Sequence, residues 1–446
     1  MQLPEAFIIR TKGLLGAEWL AFEQALNEEC PVSIRLNPRK TNPDLLSDTA
    51  LLLAESIPWT TAGFYLNSRP SFTLDPLFHA GCYYVQEASS MMLEHFVRNY
   101  FPQPAKVLDL CAAPGGKSTH LSTLLPEESL LVANEVIRSR ASILVENLTK
   151  WGNPNTIVTC KDPAETGKSL PEFFDVIVAD LPCSGEGMFR KEPAAIAEWS
   201  ANNVRLCAER QRRIIVDIWQ ALKPDGILIY STCTYNREEN EDNVEWICRE
   251  FGAELLEESR RMMPHQIKGE GFFIAGMRKK AKGERQKVKG TRLKVQSERT
   301  LRPSPFAFCL SLPDDFAFIS DNTRWTAIPA IHYPDYLQIK NKLRIFSAGV
   351  TLGEMKGKDC VPAHGMAMSN VLDKAAFPRW KVDKETALTY LRKEALQTIP
   401  SELPRGYVLV TYKELPLGFV KNIGTRANNL YPQEWRIRME KEKIFK

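Results

Sequence analysis

Apolar residues in the middle of the chain fall in short unbroken runs, each followed by a polar turn and then a stretch with helical spacing. The runs VLDLC (107–111), LLVANEV (130–136), TIVTC (156–160), FDVIVAD (174–180) and ILIYST (227–232) are rich in β-branched residues. They predict strands buried on both faces, as in a parallel sheet. Helices are predicted between them at 117–125, 138–151 and 203–222, the last stopping at the turn Lys223-Pro-Asp-Gly226. This is a doubly wound α/β pattern, and in such a sheet ligands sit beyond the carboxyl ends of the strands. Asp109 to Lys117, Glu135, Asp162, Asp180 to Cys183 and Cys233 all stand at or just after predicted strand ends, so they are expected to share one rim.

The flanks differ. Residues 1–75, with the strand-like Val32-Ser-Ile-Arg-Leu36, predict a small α+β unit of the ferredoxin or RRM type. The region 76–277 carries the α/β pattern. Beyond 303, runs such as Tyr407-Val-Leu-Val-Thr411 and Leu417-Gly-Phe-Val420 predict β-rich units, divided here as 304–375 and 376–446.

Composition adds limits. A chain of 446 residues exceeds one ordinary core and calls for two to four domains. Met1-Gln-Leu-Pro-Glu-Ala-Phe7 lacks the basic start of a secretory signal, and no apolar run is long enough to span a bilayer, so a cytoplasmic protein without membrane contact is expected. Its ten cysteines read as reduced thiols; none are in C-x-x-C spacing, and no metal is predicted. The net charge of +4 is concentrated: residues 278–302 hold eleven Lys or Arg against two Glu. That basic connector, 278–303, is either a solvated linker or an arm that follows nucleic-acid phosphates.

Two clusters carry chemistry. Asp109-Leu-Cys-Ala-Ala-Pro-Gly-Gly-Lys-Ser118 is a small-residue turn from strand to helix, leaving backbone N–H groups open to a polar ligand. It departs from a phosphate loop only in having Cys111 for the first glycine, with Asp180 then available to magnesium; a nucleotide hydrolase is the rival reading. Glu135, at the end of the next strand, instead suits the hydroxyls of an adenosine ribose. With Asp162 and Asp180 nearby, the ligand that fits is adenosyl, free of phosphates and cationic: S-adenosylmethionine. The bland reading of Glu135 and Asp162 is as surface acids at strand ends.

Cys183 and Cys233 each follow a strand end, whereas Cys207 and Cys248 lie on apolar helix faces as small hydrophobes. A strand-end thiol beside a methyl donor suits carbon methylation of a pyrimidine. Thiolate addition to C6 of cytosine makes C5 nucleophilic, and a second group then helps the enzyme leave. Since a free thiol ionises only near ~8.5, Lys117 is a source of favouring charge, and Asp180 an acceptor for the base.

LDLCAAPGGKSTHL, DLPCSGEGMFRK and YSTCTYNREENE, with Val85-Gln-Glu-Ala-Ser-Ser-Met91 upstream, resemble the Sun/Nop family of RNA cytosine-5 methyltransferases over about residues 75–277. Gly353-Glu-Met-Lys356, Pro362-Ala-His364, Gly418-Phe-Val-Lys421 and Asn429-Leu-Tyr-Pro432 resemble the extra C-terminal domains of its RsmF-type bacterial members, including a PUA-like RNA-binding module. The resemblance implies a Rossmann-like methyltransferase fold. It implies that Cys111, Ala112, Ala113, Pro114, Gly115, Gly116 and Lys117 wrap the methionine part of S-adenosylmethionine, Glu135 its ribose and Asp162 its adenine, with Asp180 near the methyl. Cys233 is then the nucleophile and Cys183 aids release. Leu181 departs from the family's usual Asp-Pro-Pro-Cys or Asp-Ala-Pro-Cys, which implies a local packing change. Arg140 matches a family position, although a surface arginine reads equally well. The implied substrate is 16S ribosomal RNA, with transfer RNA second; a non-catalytic RNA-binding factor would not need both cysteines. Monomer is the default state.

Overall fold

The computed structural model describes residues 1–46, 51–281, 304–306, 309–311, 313–373, 375–396 and 399–439. From residue 282 on, the basic connector lies outside the described residues. Two helices, Glu5–Leu15 and Trp19–Leu26, precede an antiparallel sheet of β1 (Val32–Leu36), β2 (Leu53–Ser56), β3 (Gly63–Leu66) and β4 (Tyr83–Val85), ordered β2-β3-β1-β4. This sheet runs past residue 75, because β4 pairs with β1 from Ile34 to Leu36.

The main sheet has β5 (Lys106–Asp109), β6 (Leu130–Asn134), β7 (Thr156–Thr159), β8 (Phe174–Asp180) and β9 (Leu222–Thr232) parallel in the order β7-β6-β5-β8-β9. β10 (Glu254–Leu255), β11 (Arg260–Met262) and β12 (Phe272–Arg278) add to it antiparallel beyond β9. From β5 the chain goes one way to β6 and the other way to β8, which opens a crevice at the ends of β5 and β8. The unbroken apolar runs follow from burial on both faces. Val107, Leu131, Val176, Val178 and Ile229 pack into one core, while Leu108, Val132, Ile177, Ala179 and Tyr230 pack into the other.

Two local readings differ from the structure. Ser200 caps the long helix by accepting from Asn203 N, so the helix runs Ala201–Trp219, two residues earlier at its start than the apolar spacing implied. Lys223-Pro-Asp-Gly226 is absorbed into β9 as an irregularity: β8 advances from Phe174 to Val176 while β9 advances from Leu222 to Ile227. Asp225 takes φ 62° there, and Lys223 pairs with Asp175 at 2.5 Å, so the strand begins before the predicted turn.

Downstream come β13 (Phe316–Asp321), β14 (Arg324–Pro329), β15 (Ile345–Ala348), β16 (Val350–Lys356) and β17 (Asp359–Pro362). β13, β14, β16 and β17 form a third sheet, but β15 joins the main sheet against β7, so the region 304–375 is not a unit apart. Apolar Ile328, Tyr336, Ile339 and Leu343 enter the main core with it. A last sheet holds β18 (Arg379–Lys381), β19 (Gly406–Tyr412), β20 (Leu415–Asn422) and β21 (Ala427–Asn429). It shares a core with the first sheet: Ile34, Leu36, Leu77 and Tyr83 pack with Tyr390, Val408, Val420 and Tyr431. Among the described residues no helix is long and apolar enough to cross a membrane.

Candidate active site

β5 ends in Asp109, fully buried, whose Oδ2 accepts from Ser118 Oγ at 2.6 Å. The chain then crosses to the helix Gly116–Leu124 through a turn in which Ala112 N donates to Asn134 O at 2.9 Å. Gly115 takes φ 118°, and a Cβ there would meet Leu144 and Asn147 at 3.3 Å, so the turn can lie flat against the helix Arg138–Trp151. Two donors from that helix fix it: Arg140 Nη2 to Ala113 O and Asn147 Nδ2 to Pro114 O, each 2.8 Å.

Cys111, Ala112, Ala113, Pro114, Gly116 and Lys117 line a cavity of about 200 Å³ together with Asp180. Its other wall is Tyr84 to Glu87 and Ser90, the upstream motif, for which the sequence suggested no role. Arg35 of β1 ties the two walls: its guanidinium donates to Gln86 Oε1 (2.8 Å), Thr119 Oγ1 (2.6 Å) and Gly116 O (3.2 Å), and stacks on Trp151. Burial lowers this guanidinium to about 9. The thiol of Cys111 is pushed up by burial, with Asp109 and Asp180 adding to it, which leaves it as wall rather than nucleophile.

Lys117 Nζ pairs with Asp180 Oδ2 at 2.8 Å and stands over the ring of Phe272. Burial opposes its charge, but Asp180, with Asp109 and Cys233 nearby, outweighs burial and raises it above the ordinary lysine value. Ser231 Oγ holds the other oxygen of Asp180 at 2.8 Å. Beyond these ends, Cys183 and Cys233 meet with their sulfurs 3.1 Å apart, both half-buried, and all ten cysteines of the chain are free. The Cys183 thiol is raised well above its ordinary value by its hydrogen bond to Cys233 and by burial.

Glu135 sits at the edge of this group. Its Oε1 accepts from Ile137 N, and Oε2, buried and lacking a hydrogen-bond partner, lies 3.2 Å from Arg140 Nη1. Arg140 thus links Glu135 to the Ala113 carbonyl, a contact its reading as a surface residue did not contain. Asp162 does not join the cavity wall; it is exposed and caps the helix Pro163–Ser169 by accepting from Ala164 N at 2.9 Å. Leu181, the departing residue, is buried in the main core. Among the described residues no group of three or more His, Cys, Asp or Glu is placed to hold a metal ion.

Sequence reading missed a polar layer beneath the thiols. Glu239, buried, accepts from Ser184 N (3.0 Å), Gln211 Nε2 (2.8 Å) and Asn236 Nδ2 (2.8 Å). Burial raises its carboxyl. Asn134, at the end of β6, accepts from Thr159 Oγ1 and Lys161 N and donates to Leu110 O and Lys161 O, stitching three strand ends together. The signal for these residues was slight: a polar side chain at the end of an apolar run, or within a run of acids that looks solvated.

Comparison with known proteins adds three family matches. Residues 101–278 match the model of 16S rRNA methyltransferase RsmB/F, residues 3–88 the N-terminal domain of 16S rRNA methyltransferase RsmF, and residues 377–437 the methyltransferase RsmF PUA domain. Ribosomal RNA small subunit methyltransferase F of Pectobacterium atrosepticum is 38% identical over 55% of this chain and 56% of its own. The protein of that name from Cronobacter sakazakii is 31% identical over 97% of this chain and 96% of its own. A solved methyltransferase homolog protein from Pyrococcus horikoshii is 31% identical with a TM-score of 0.55, covering 62% of this chain and 95% of that one.

Proposed function

The chain belongs to the RsmF branch of the RsmB/F 16S ribosomal RNA methyltransferases, which use S-adenosylmethionine, and from that membership we propose that it methylates C5 of a cytosine in 16S ribosomal RNA through a transient bond from Cys233 to C6. The observation that carries this reading is the pair of free sulfurs, 3.1 Å apart, beyond the ends of β8 and β9 and next to the Lys117–Asp180 pair.

The turn Cys111 to Lys117 fits the cofactor, since its small residues leave the cavity open; Glu135, outside the cavity lining, has a buried carboxylate oxygen with no hydrogen-bond partner, 3.2 Å from Arg140, suited to ribose hydroxyls. When bound, S-adenosylmethionine supplies an electrophilic methyl group. Arg140 and Asn147 hold the turn, and Asp180 lines the cavity; Asp162, exposed and capping its own helix, lies outside the cavity lining.

From the family resemblance Cys233 is the sulfur that attacks, and Cys183, 3.1 Å away, is its hydrogen-bonding neighbour. Cys233 first gives its proton to solvent; its pair then forms the S–C6 bond while the C5=C6 pair shifts to C4=C5 and the C4=N3 pair takes up a proton at N3, leaving C5 as the nucleophilic carbon of an enamine. Asp180, oriented by Ser231 and Lys117, accepts from the exocyclic amino group and from the protonated ring nitrogen of the adduct. After C5 carries the methyl group, Cys183 accepts its remaining proton or assists release, the C5–H pair restores C5=C6, the Cys233 sulfur leaves with the S–C6 pair, and N3 returns its proton to solvent. The target base must leave its stack to reach this rim, and the PUA domain with the other C-terminal sheets holds the surrounding RNA.

Replacing Cys233 with Ala is expected to abolish methylation of 16S RNA. Cys183→Ala is expected to accumulate a protein–RNA adduct that survives denaturant, measured on a denaturing gel with labelled RNA. Full activity of a Cys233→Ser variant would contradict this reading.

A further inference from the structure

We propose that Glu186 is a positioning residue for the thiol pair, setting the loop that carries Cys233 against the loop that carries Cys183. Glu186 is 2% exposed; the two arginines that share its cavity wall, Arg10 and Arg237, pair with Glu238, Asp242 and Glu245. Four neutral donors hold it instead. Oε2 accepts from Thr234 Oγ1 (2.7 Å), Tyr235 N (2.8 Å) and Asn236 N (3.0 Å), the three residues that follow Cys233, and Oε1 accepts from Trp199 Nε1 at 3.0 Å.

A buried carboxylate without a cation is costly to a fold. A residue at that position earns its place through geometry that a neutral side chain gives less firmly: one strong acceptor satisfying three converging donors. The next residue completes the joint. Gly187 N donates to Cys233 O at 2.9 Å, and a Cβ on Gly187 would stand 2.9 Å from that same oxygen, so the two loops touch backbone to backbone. Ser184 Oγ meets Thr234 Oγ1 at 2.9 Å on the other side. The segment Cys183–Gly187 therefore grips Cys233 through the backbone around it, and the distance between the sulfurs is set by this grip. Trp199 anchors the far end of Glu186 in an aromatic core with Phe7, Phe22 and Phe189 from the N-terminal helices and the catalytic loop.

The proposal rests on Cys233 as nucleophile, and the test separates the two. In the Cys183→Ala background, denaturant-stable adduct forms with 16S RNA and S-adenosylmethionine, and its rate is read per folded, cofactor-binding molecule. If Cys183→Ala alone gives no adduct, the nucleophile reading fails. If it does, adding Glu186→Ala is expected to slow adduct formation about 10- to 100-fold, the effect of a roughly 1 Å misplacement, while calorimetric affinity for S-adenosylmethionine stays unchanged. Glu186→Gln, which keeps an oxygen for the three loop donors, is expected to recover most of that loss. Where Glu186→Ala does not fold, Glu186→Asp serves: it keeps the charge but is one methylene short of spanning Trp199 and the loop, and it is expected to slow the adduct at least 10-fold. An Ala or Asp variant that folds and forms adduct at the parent rate overturns the proposal.

Discussion

Asp109 shows how one residue at this site answers to pH. It is fully buried, one oxygen is bonded to Ser118 and the other has no partner, and burial, with Asp180 and Glu135 adding to it, lifts its carboxyl to about 7. Its folded value is thus above the unfolded one, near ~3.9. Such a group contributes stability that is full below the unfolded value and is lost as pH rises through the folded one. Asp109→Asn does not titrate, so the melting temperature of the wild-type protein is expected to fall relative to this variant between pH 5 and 8, by several degrees. A difference that stays constant over that range would show Asp109 to be charged throughout. The residues proposed to act on the base were the legible ones. Cys183, Cys233, Lys117 and Asp180 stand where apolar runs stop, and the structure brings them together. Glu186 and Glu239 were not legible, because burial comes from the folding of loops: Arg237-Glu-Glu-Asn-Glu-Asp242 reads as a solvated run, yet Glu239 and Asn240 are wholly buried within it.

At the scale of elements, the five parallel strands were readable because both faces of the sheet are covered, which leaves no polar alternation to blur the runs. What was not readable was pairing at a distance. β15 has an ordinary short sequence, and only its docking against β7 gives it a place in the main sheet. The start of β9 at Leu222 is likewise set by pairing with β8, ahead of a proline and a left-handed Asp225 that local propensity reads as a turn. Asn134 is the element-scale counterpart of the loop clamp. It bonds across the ends of β5, β6 and the segment after β7, just where the turn Cys111 to Lys117 begins. Asn134→Ala leaves those buried groups unpaired and is expected to cost about 2–4 kcal/mol in denaturant unfolding. It is also expected to weaken S-adenosylmethionine binding, because Leu110 O, at the entry to the turn, loses the side-chain donor that holds it. Unchanged stability would show that water replaces the amide.

Across the whole molecule, the sequence suggested modules in a row, whereas the structure closes them into a ring in which the first sheet and the last share a core. The joint lies at the carboxyl end of the helix Arg138–Trp151. There Lys40, half-buried, donates to Ala80 O (3.0 Å), Lys150 O (2.6 Å) and Met368 O (2.7 Å). Asn37 donates to Gly81 O and Trp151 O beside it, and Asn370 N bonds Gly152 O. Burial lowers the Lys40 ammonium to about 8, so it remains charged at neutral pH. Melting temperature is therefore expected to change little as salt is raised, while affinity for RNA falls steeply as counterions replace the protein on phosphates. A parallel loss of both would place exposed ion pairs at the joint. Three carbonyl oxygens from three distant stretches converge on one positive centre, one for each N–H of the ammonium, as part of the shell of a bound alkali ion would. Here that ion is fastened to the polypeptide by its own hydrocarbon stem, so dilution cannot remove it, chelators have nothing to extract, and competing sodium or potassium meets an occupied seat.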